Sequence, residues 1–237
     1  MAGTYVISRR ADSNFVRVYD ALTNVAITAH GDNLIIPIHV DSAGVPMPLV
    51  EVEPWVWQEV GGDTRVGVRL ADDGSVEAVG LNPGFTLLPA PWWLGLLVPV
   101  ALASVAVLVI AVVAWPVRAI VGWRLRAPLD LPPTDRWLRV ATLVAAIVAL
   151  AGLALWVLAA SMLLTGSGTP SDLLLRAAQL LTGLGLLGFV PTAWRAARAW
   201  GGRRWFHAVL ASVIALAFVG LGAFAVSGGL LLPDITF

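Results

Sequence analysis

A chain of 237 residues with 58% hydrophobic and 13% charged side chains stands well away from the soluble average of roughly 45–50% apolar and about 25% charged, and this points to a membrane protein. Its 15 Lys+Arg and 15 Asp+Glu residues balance, so no global field favours nucleic acid. All of those basic residues are arginine: with no lysine there is no Ser-x-x-Lys nucleophile, Schiff base or P-loop, and with no cysteine there is no thiolate catalysis, disulfide or cysteine-ligated metal.

From the N-terminus to about Pro91 the chain mixes short polar and apolar runs. Tyr5-Val6-Ile7 reads as a strand. Val25-Ala26-Ile27-Thr28 and Leu34-Ile35-Ile36-Pro37-Ile38 flank the turn residues His30-Gly31-Asp32-Asn33, and Arg65 to Leu70 meets Val76 to Val79 across Asp72-Asp73-Gly74; both patterns predict β-hairpins. One more strand is expected around Trp55 to Val60, for a meander of six or seven strands curling into a half-barrel or lipocalin-like sheet. Proline lacks the N–H a ladder needs, so Pro37, Pro46, Pro48 and Pro54 predict edge strand and loop in the middle of this domain. Pro89-Ala90-Pro91 marks the boundary.

A spanning helix needs roughly 20 mostly apolar residues. Four stretches qualify, near 93–115, 137–164, 173–190 and 206–231. None carries an ionisable residue at its centre, where an arginine would cost roughly 2.5–3.5 kcal/mol. Trp92, Trp93, Trp115, Trp123, Trp137, Trp194, Trp200 and Trp205 cluster at the ends of these runs, as an aromatic belt would. The fold class expected is an α+β membrane protein: a small antiparallel, lipocalin-like β-domain over 1–90, followed by a four-helix transmembrane bundle over 91–237.

Arg118, Arg124, Arg126, Arg136 and Arg139 lie between or beside the first two runs, and Arg195, Arg198, Arg203 and Arg204 between the last two. The Thr165 to Asp172 loop has no base before Arg176. By the positive-inside rule both arginine-rich loops face the cytoplasm, which puts the β-domain, the Gly/Ser loop and the tail through Phe237 outside the cytoplasmic membrane. Met1 to Asp12 has no apolar signal-peptide core, so a preceding domain carrying an export signal is expected.

Candidate sites are few. Gly183-Leu184-Gly185-Leu186-Leu187-Gly188 matches the G-x-G-x-x-G dinucleotide pattern, but it sits inside an apolar run where small residues serve helix packing. His30 and His39, with Asp32 and Asp41 nearby, lack a third convincing metal ligand. His207 is expected at the membrane interface. Glu51, Glu53 and Glu59 surround Trp55 and Trp57, where a paired-carboxylate glycosidase site is conceivable, but nothing in the spacing demands it and strand-surface carboxylates are common. Asp172 and Arg176, four apart at the start of the third run, suit a cap and ion pair. No catalytic, cofactor-binding or metal-ligating residue is therefore assigned, and no cofactor is expected.

Gly3-Thr4-Tyr5, Ser8-Arg9-Arg10, Ser13-Asn14-Phe15, Trp57-Gln58-Glu59-Val60-Gly61-Gly62-Asp63, Pro89-Ala90-Pro91-Trp92-Trp93 and Trp115-Pro116-Val117, in that order, carry a resemblance. Residues 3 to 160 resemble the C-terminal region of membrane-bound bacterial serine hydrolases of the β-lactamase and penicillin-binding-protein-like class. In that class a small β-domain runs into the first membrane helix, behind an extracytoplasmic Ser-x-x-Lys domain that this chain lacks. The resemblance implies a non-catalytic anchor and accessory module, with the lipid bilayer and a serine hydrolase catalytic domain as partners. The rival expectation is a free-standing four-helix membrane protein whose external β-domain binds a lipid or protein. A transporter is disfavoured, since the helix centres carry no ionisable residue to mark a substrate path.

Overall fold

A computed structural model describes residues 1–8, 15–31, 33–82, 84–124 and 133–233. Arg9, Arg10, Ser13, Asn14, Asp32, Arg126 and the last residues through Phe237, all named above, lie outside the described residues, as does the side chain of Arg118. The chain divides into two compact units, Met1–Leu96 and Leu97–Phe237.

The first unit is a closed antiparallel barrel of eight strands, each paired with its neighbour in sequence: β1 Gly3–Ile7, β2 Val25–His30, β3 Asn33–Val40, β4 Pro46–Glu53, β5 Val56–Glu59, β6 Arg65–Leu70, β7 Val76–Asn82 and β8 Phe85–Pro89. A 3₁₀ turn, Phe15–Arg17, and a short helix α1, Val18–Leu22, fill the β1–β2 connection. Both expected hairpins form, with Thr28 opposite Ile35 and Val68 opposite Val79. Alternate residues turn inward, so Val25, Ile27, Leu34, Ile36, Leu49, Trp57, Val66, Val79 and Leu87 meet in one core.

Two expectations for this unit are corrected. The sheet has eight strands rather than six or seven and takes the closed, lipocalin-like alternative rather than the half-barrel, because the stretch from Phe85 reads as a connection in the sequence yet forms β8 and closes on β1, with Tyr5 opposite Pro89 and Ile7 opposite Leu87. The proline-rich middle is paired strand, not loop. Pro37 falls within the Ile35–Val40 interval where the β3–β4 register shifts. Pro48 accepts from Val60 N–H (3.1 Å) just past the end of β5, so its missing donor sits at the margin of the β4–β5 ladder. Pro54 leads the turn into β5, where Trp55 adopts φ +65°.

The β6–β7 turn is closed by Ala71 N–H to Ser75 O (2.9 Å) and by Gly74 at φ +81°, a left-handed conformation that glycine adopts without steric cost. Asp73 Oδ1 accepts from the Ser75 hydroxyl (2.6 Å) and the Ser75 amide (2.9 Å). These bonds, the hydroxyl first, hold the fully exposed Asp73 carboxyl below its ordinary pKa. A depressed carboxyl supports the turn fully above the unfolded value of 3.8 and loses that support as pH falls through the lower folded value. The Ser75 amide shift, followed by NMR on acidification, is therefore expected to move with a midpoint below 3.8.

The second unit is helical. α2 runs Leu94–Arg124, α3 Pro133–Thr165, α4 Asp172–Leu186, α5 Phe189–Gly201 and α6 Trp205–Ser227. Among the described residues four helical stretches are long and apolar enough to cross a membrane: Leu94–Arg124, Asp135–Thr165, Asp172–Gly201 and Trp205–Ser227. α2 and α3 outlast their apolar runs because helix continues into the arginine-bearing ends.

The third stretch differs from the helix expected over 173–190. It comprises α4 and α5, joined through a tight turn at Leu187 and Gly188, with hydrogen bonds from Leu187 N–H to Leu184 O (3.2 Å) and from Gly188 N–H to Gly185 O (3.0 Å). Pro191 accounts for the tightening: it has no N–H to offer Leu187 O, and its ring crowds that carbonyl. Helix then resumes to Gly201, taking in Trp194, Arg195 and Arg198, which the sequence pattern leaves in a loop.

Candidate functional site

The barrel interior is the first place to look for a ligand, because some eight-stranded barrels enclose one. Here it is filled: Ile36, Leu49, Val66, Val79 and Leu87 are each 0% exposed, and Ile27 is 2%. The barrel resembles a lipocalin in general kind, but its centre is a packed core rather than a cup.

The two ends of the barrel differ. At one end lie the β2–β3, β4–β5 and β6–β7 turns and the exit from β8 towards α2. The opposite end holds the β1–β2 connection with α1, the β3–β4 and β5–β6 loops, and the start of β8. At this second end Leu22, Ile38, Val40, Val45, Val60 and Phe85 are all exposed. Six exposed apolar side chains at one end of the barrel make that end a candidate binding surface.

The same end carries a side-chain pair that sequence spacing does not reveal. His39 Nε2 lies 3.1 Å from Glu59 Oε2, with side chains only 17% and 12% exposed. The two residues are twenty apart, on β3 and β5, and meet because only β4 intervenes between these strands. The Glu59 carboxylate folds over Gly62, where a methyl group would overlap it.

The remaining acids disperse. Glu51 Oε1 accepts from Trp55 N–H (2.9 Å) and so belongs to the β4–β5 turn, while Glu53 is exposed at the end of β4. His30 sits opposite Asn33 at the hairpin turn, away from His39 at the far end of β3. Asp41 closes the β3–β4 loop by accepting from Ala43 N–H (2.8 Å) and Val45 N–H (2.9 Å). Among the described residues no group of three His, Asp or Glu side chains gathers to hold a metal ion.

In the helical unit the glycine motif resolves into packing. It occupies the end of α4 and the turn after it, with helix rather than strand before it. A methyl at Gly185 would overlap the backbone of Ala149 on α3, and one at Gly188 would meet Phe218 on α6 and Ala145 on α3. Gly152 likewise lies against Thr182, giving α3 and α4 a close small-residue seam.

Arg176 corrects another expectation. Its guanidinium donates to Gln179 Oε1 (3.0 Å) and to the carbonyl of Pro233 (2.9 Å) instead of pairing with Asp172. Gln179 donates to Leu232 O, so α4 holds the segment that follows α6. The cap of α4 is Ser171, whose hydroxyl accepts from Leu174 N–H (3.3 Å).

At the other end of the bundle, Arg198 on α5 reaches Asp135 at the start of α3 (3.8 Å) and lies 5.6 Å from the centre of the Trp194 ring. About two turns deeper, the Thr192 and Thr142 hydroxyls meet at 3.1 Å, a buried bond between α5 and α3. His207, two residues beyond Trp205, which contacts Trp200, lies edge-on to Phe206 near the start of α6 and is exposed. The helices thus offer one face bearing arginines and tryptophans and another held by Arg176 and Gln179. No protein-family model matches the chain, and neither the comparison with curated proteins nor that with solved structures returns a match.

Proposed function

We propose that this chain is a multi-pass protein of the cytoplasmic membrane whose barrel lies outside the cytoplasm and serves as a non-catalytic anchor and accessory module for a serine hydrolase acting there. The observation that carries the accessory role is the pairing of a filled barrel with an apolar end, a combination suited to holding a protein rather than a small molecule. Membrane insertion is supported by the four apolar helical stretches and by outward side chains such as Leu102, Ile110, Val157, Leu180, Leu216 and Val226, which are 65–69% exposed.

The orientation is supported by two sets of contacts. Arg198 with Asp135, and Thr192 with Thr142, bring both arginine-rich ends to one face of the bundle, as the positive-inside rule requires of a single cytoplasmic side. Arg176 and Gln179 bring the start of the third stretch beside the end of the fourth on the opposite face. The hydrolase identity of the partner rests on the resemblance of residues 3 to 160 alone.

The test is co-purification from native membranes after cross-linking, read with an active-site-directed serine hydrolase probe. A labelled hydrolase is expected with the unaltered chain, and its recovery is expected to fall about tenfold when Val45→Asp and Val60→Asp place charges on the apolar end. Recovery of no hydrolase would remove this reading in favour of a free-standing membrane protein with a lipid or other protein partner.

A further inference from the structure

The end of the barrel that leads into α2 carries its own signal. Trp55 occupies the second central position of the Pro54–Trp55 turn at φ +65°, a conformation that glycine takes freely and that costs a bulky residue about 1 kcal/mol. The turn fixes the residue at three points. Trp55 N–H donates to Glu51 Oε1 (2.9 Å), Trp55 O accepts from Val68 N–H (2.9 Å), and its ring lies edge-on to Trp57 at 6.3 Å. The indole nevertheless remains 42% exposed, beside Val52 at 47%.

The same end is tethered to the first apolar stretch. β8 finishes at Pro89 and α2 begins at Leu94. Even fully extended, so short a link reaches roughly 17 Å, and here it is folded back by Leu94 N–H to Pro91 O (2.9 Å). Trp92 and Trp93 in this link are 78% and 42% exposed. A strained, exposed indole on the barrel end nearest the start of a candidate span has a natural environment in the headgroup layer, where tryptophan concentrates.

We propose that this end of the barrel docks on the lipid headgroup layer, with Trp55 as its anchor. The proposal rests on the membrane reading above and adds the contact surface and the residue that makes it. The β6–β7 turn at the same end carries Asp72 and Asp73, so the contact is shallow and aromatic rather than a basic attraction to anionic lipid. It is accordingly insensitive to salt and to the fraction of anionic lipid.

The absence of cysteine makes each introduced cysteine unique. The full chain, reconstituted in zwitterionic nanodiscs, is labelled with a small fluorophore at Val52→Cys on the proposed surface or at Val45→Cys on the opposite end and quenched by headgroup-level lipid nitroxides, or labelled at Leu102→Cys in α2 and quenched by nitroxides deep in the acyl chains. Quenching at position 52 is expected to exceed that at 45 by about threefold, to persist in high salt, and to fall to the level of 45 when Trp55→Gly is added. Glycine accepts the turn, so that variant keeps the barrel fold. Equal quenching at 52 and 45, or at 52 with and without Trp55, overturns the proposal while quenching at 102 persists. Loss of quenching at 102 overturns the membrane reading itself, and with it the docking.

Discussion

Gly185→Val is expected to be the most damaging single substitution in the helical unit, costing about 3 kcal/mol or more through overpacking. A Cβ at this position falls on the backbone of Ala149, which cannot swing aside as the tip of a flexible side chain could. α3 and α4 would have to separate along the seam that also includes Gly152 and Thr182. In SDS titration of the full chain in mixed micelles, followed by far-UV circular dichroism, the unfolding midpoint should drop sharply. Gly95→Val, where nothing lies within 4 Å, should leave it near the wild-type value. Equal effects from the two substitutions would mean that α3 and α4 do not meet at Gly185.

Leu49→Ala should do comparable harm to the barrel. Leu49 is 0% exposed at the centre of β4, in the same core as Ile36, Trp57 and Val66. Removing most of a leucine side chain from such a site costs about 3 kcal/mol. Amide hydrogen exchange is the suitable readout, since it reports by segment: about a hundredfold loss of protection is expected across β3, β4 and β5, with α3 and α4 unchanged. Val52→Ala, on an exposed position of the same strand, should alter protection little. Were Leu49→Ala equally silent, the filled interior would be wrong, and a ligand-binding cup would return to consideration.

What could be read from the sequence followed from how local each signal was. The apolar runs are self-sufficient: twenty such residues signal a candidate span whatever their neighbours, and all four are present as helical stretches long and apolar enough to cross a membrane, the third with a tight turn inside it. The β2–β3 and β6–β7 hairpins were legible because the turn residues and both strands lie within one short stretch of chain, Val25 to Val40 and Arg65 to Asn82. β4 was not, since proline in a strand is acceptable only where a register shift or ladder margin removes the need for its N–H, and register is a property of the neighbouring strands. The His39–Glu59 pair was hidden for the same reason. Arg176 was misread because its true partner, the Pro233 carbonyl, is 57 residues away while Asp172 is only four. The turn at Leu187 and Gly188 had a legible cause in Pro191, but a long apolar run masks a break whose residues are themselves apolar.

The pairing of β1 with β8 has a consequence for how the protein is made. Every other ladder joins strands that are adjacent in sequence and can form as soon as both have left the ribosome. The last ladder joins Tyr5 to Pro89, the longest sequence separation in the barrel. Until it forms, the nascent sheet has two open edges capable of pairing with another chain. The residues that seal it are synthesised immediately before α2, so ring closure and the emergence of the first long apolar helix fall close together in translation.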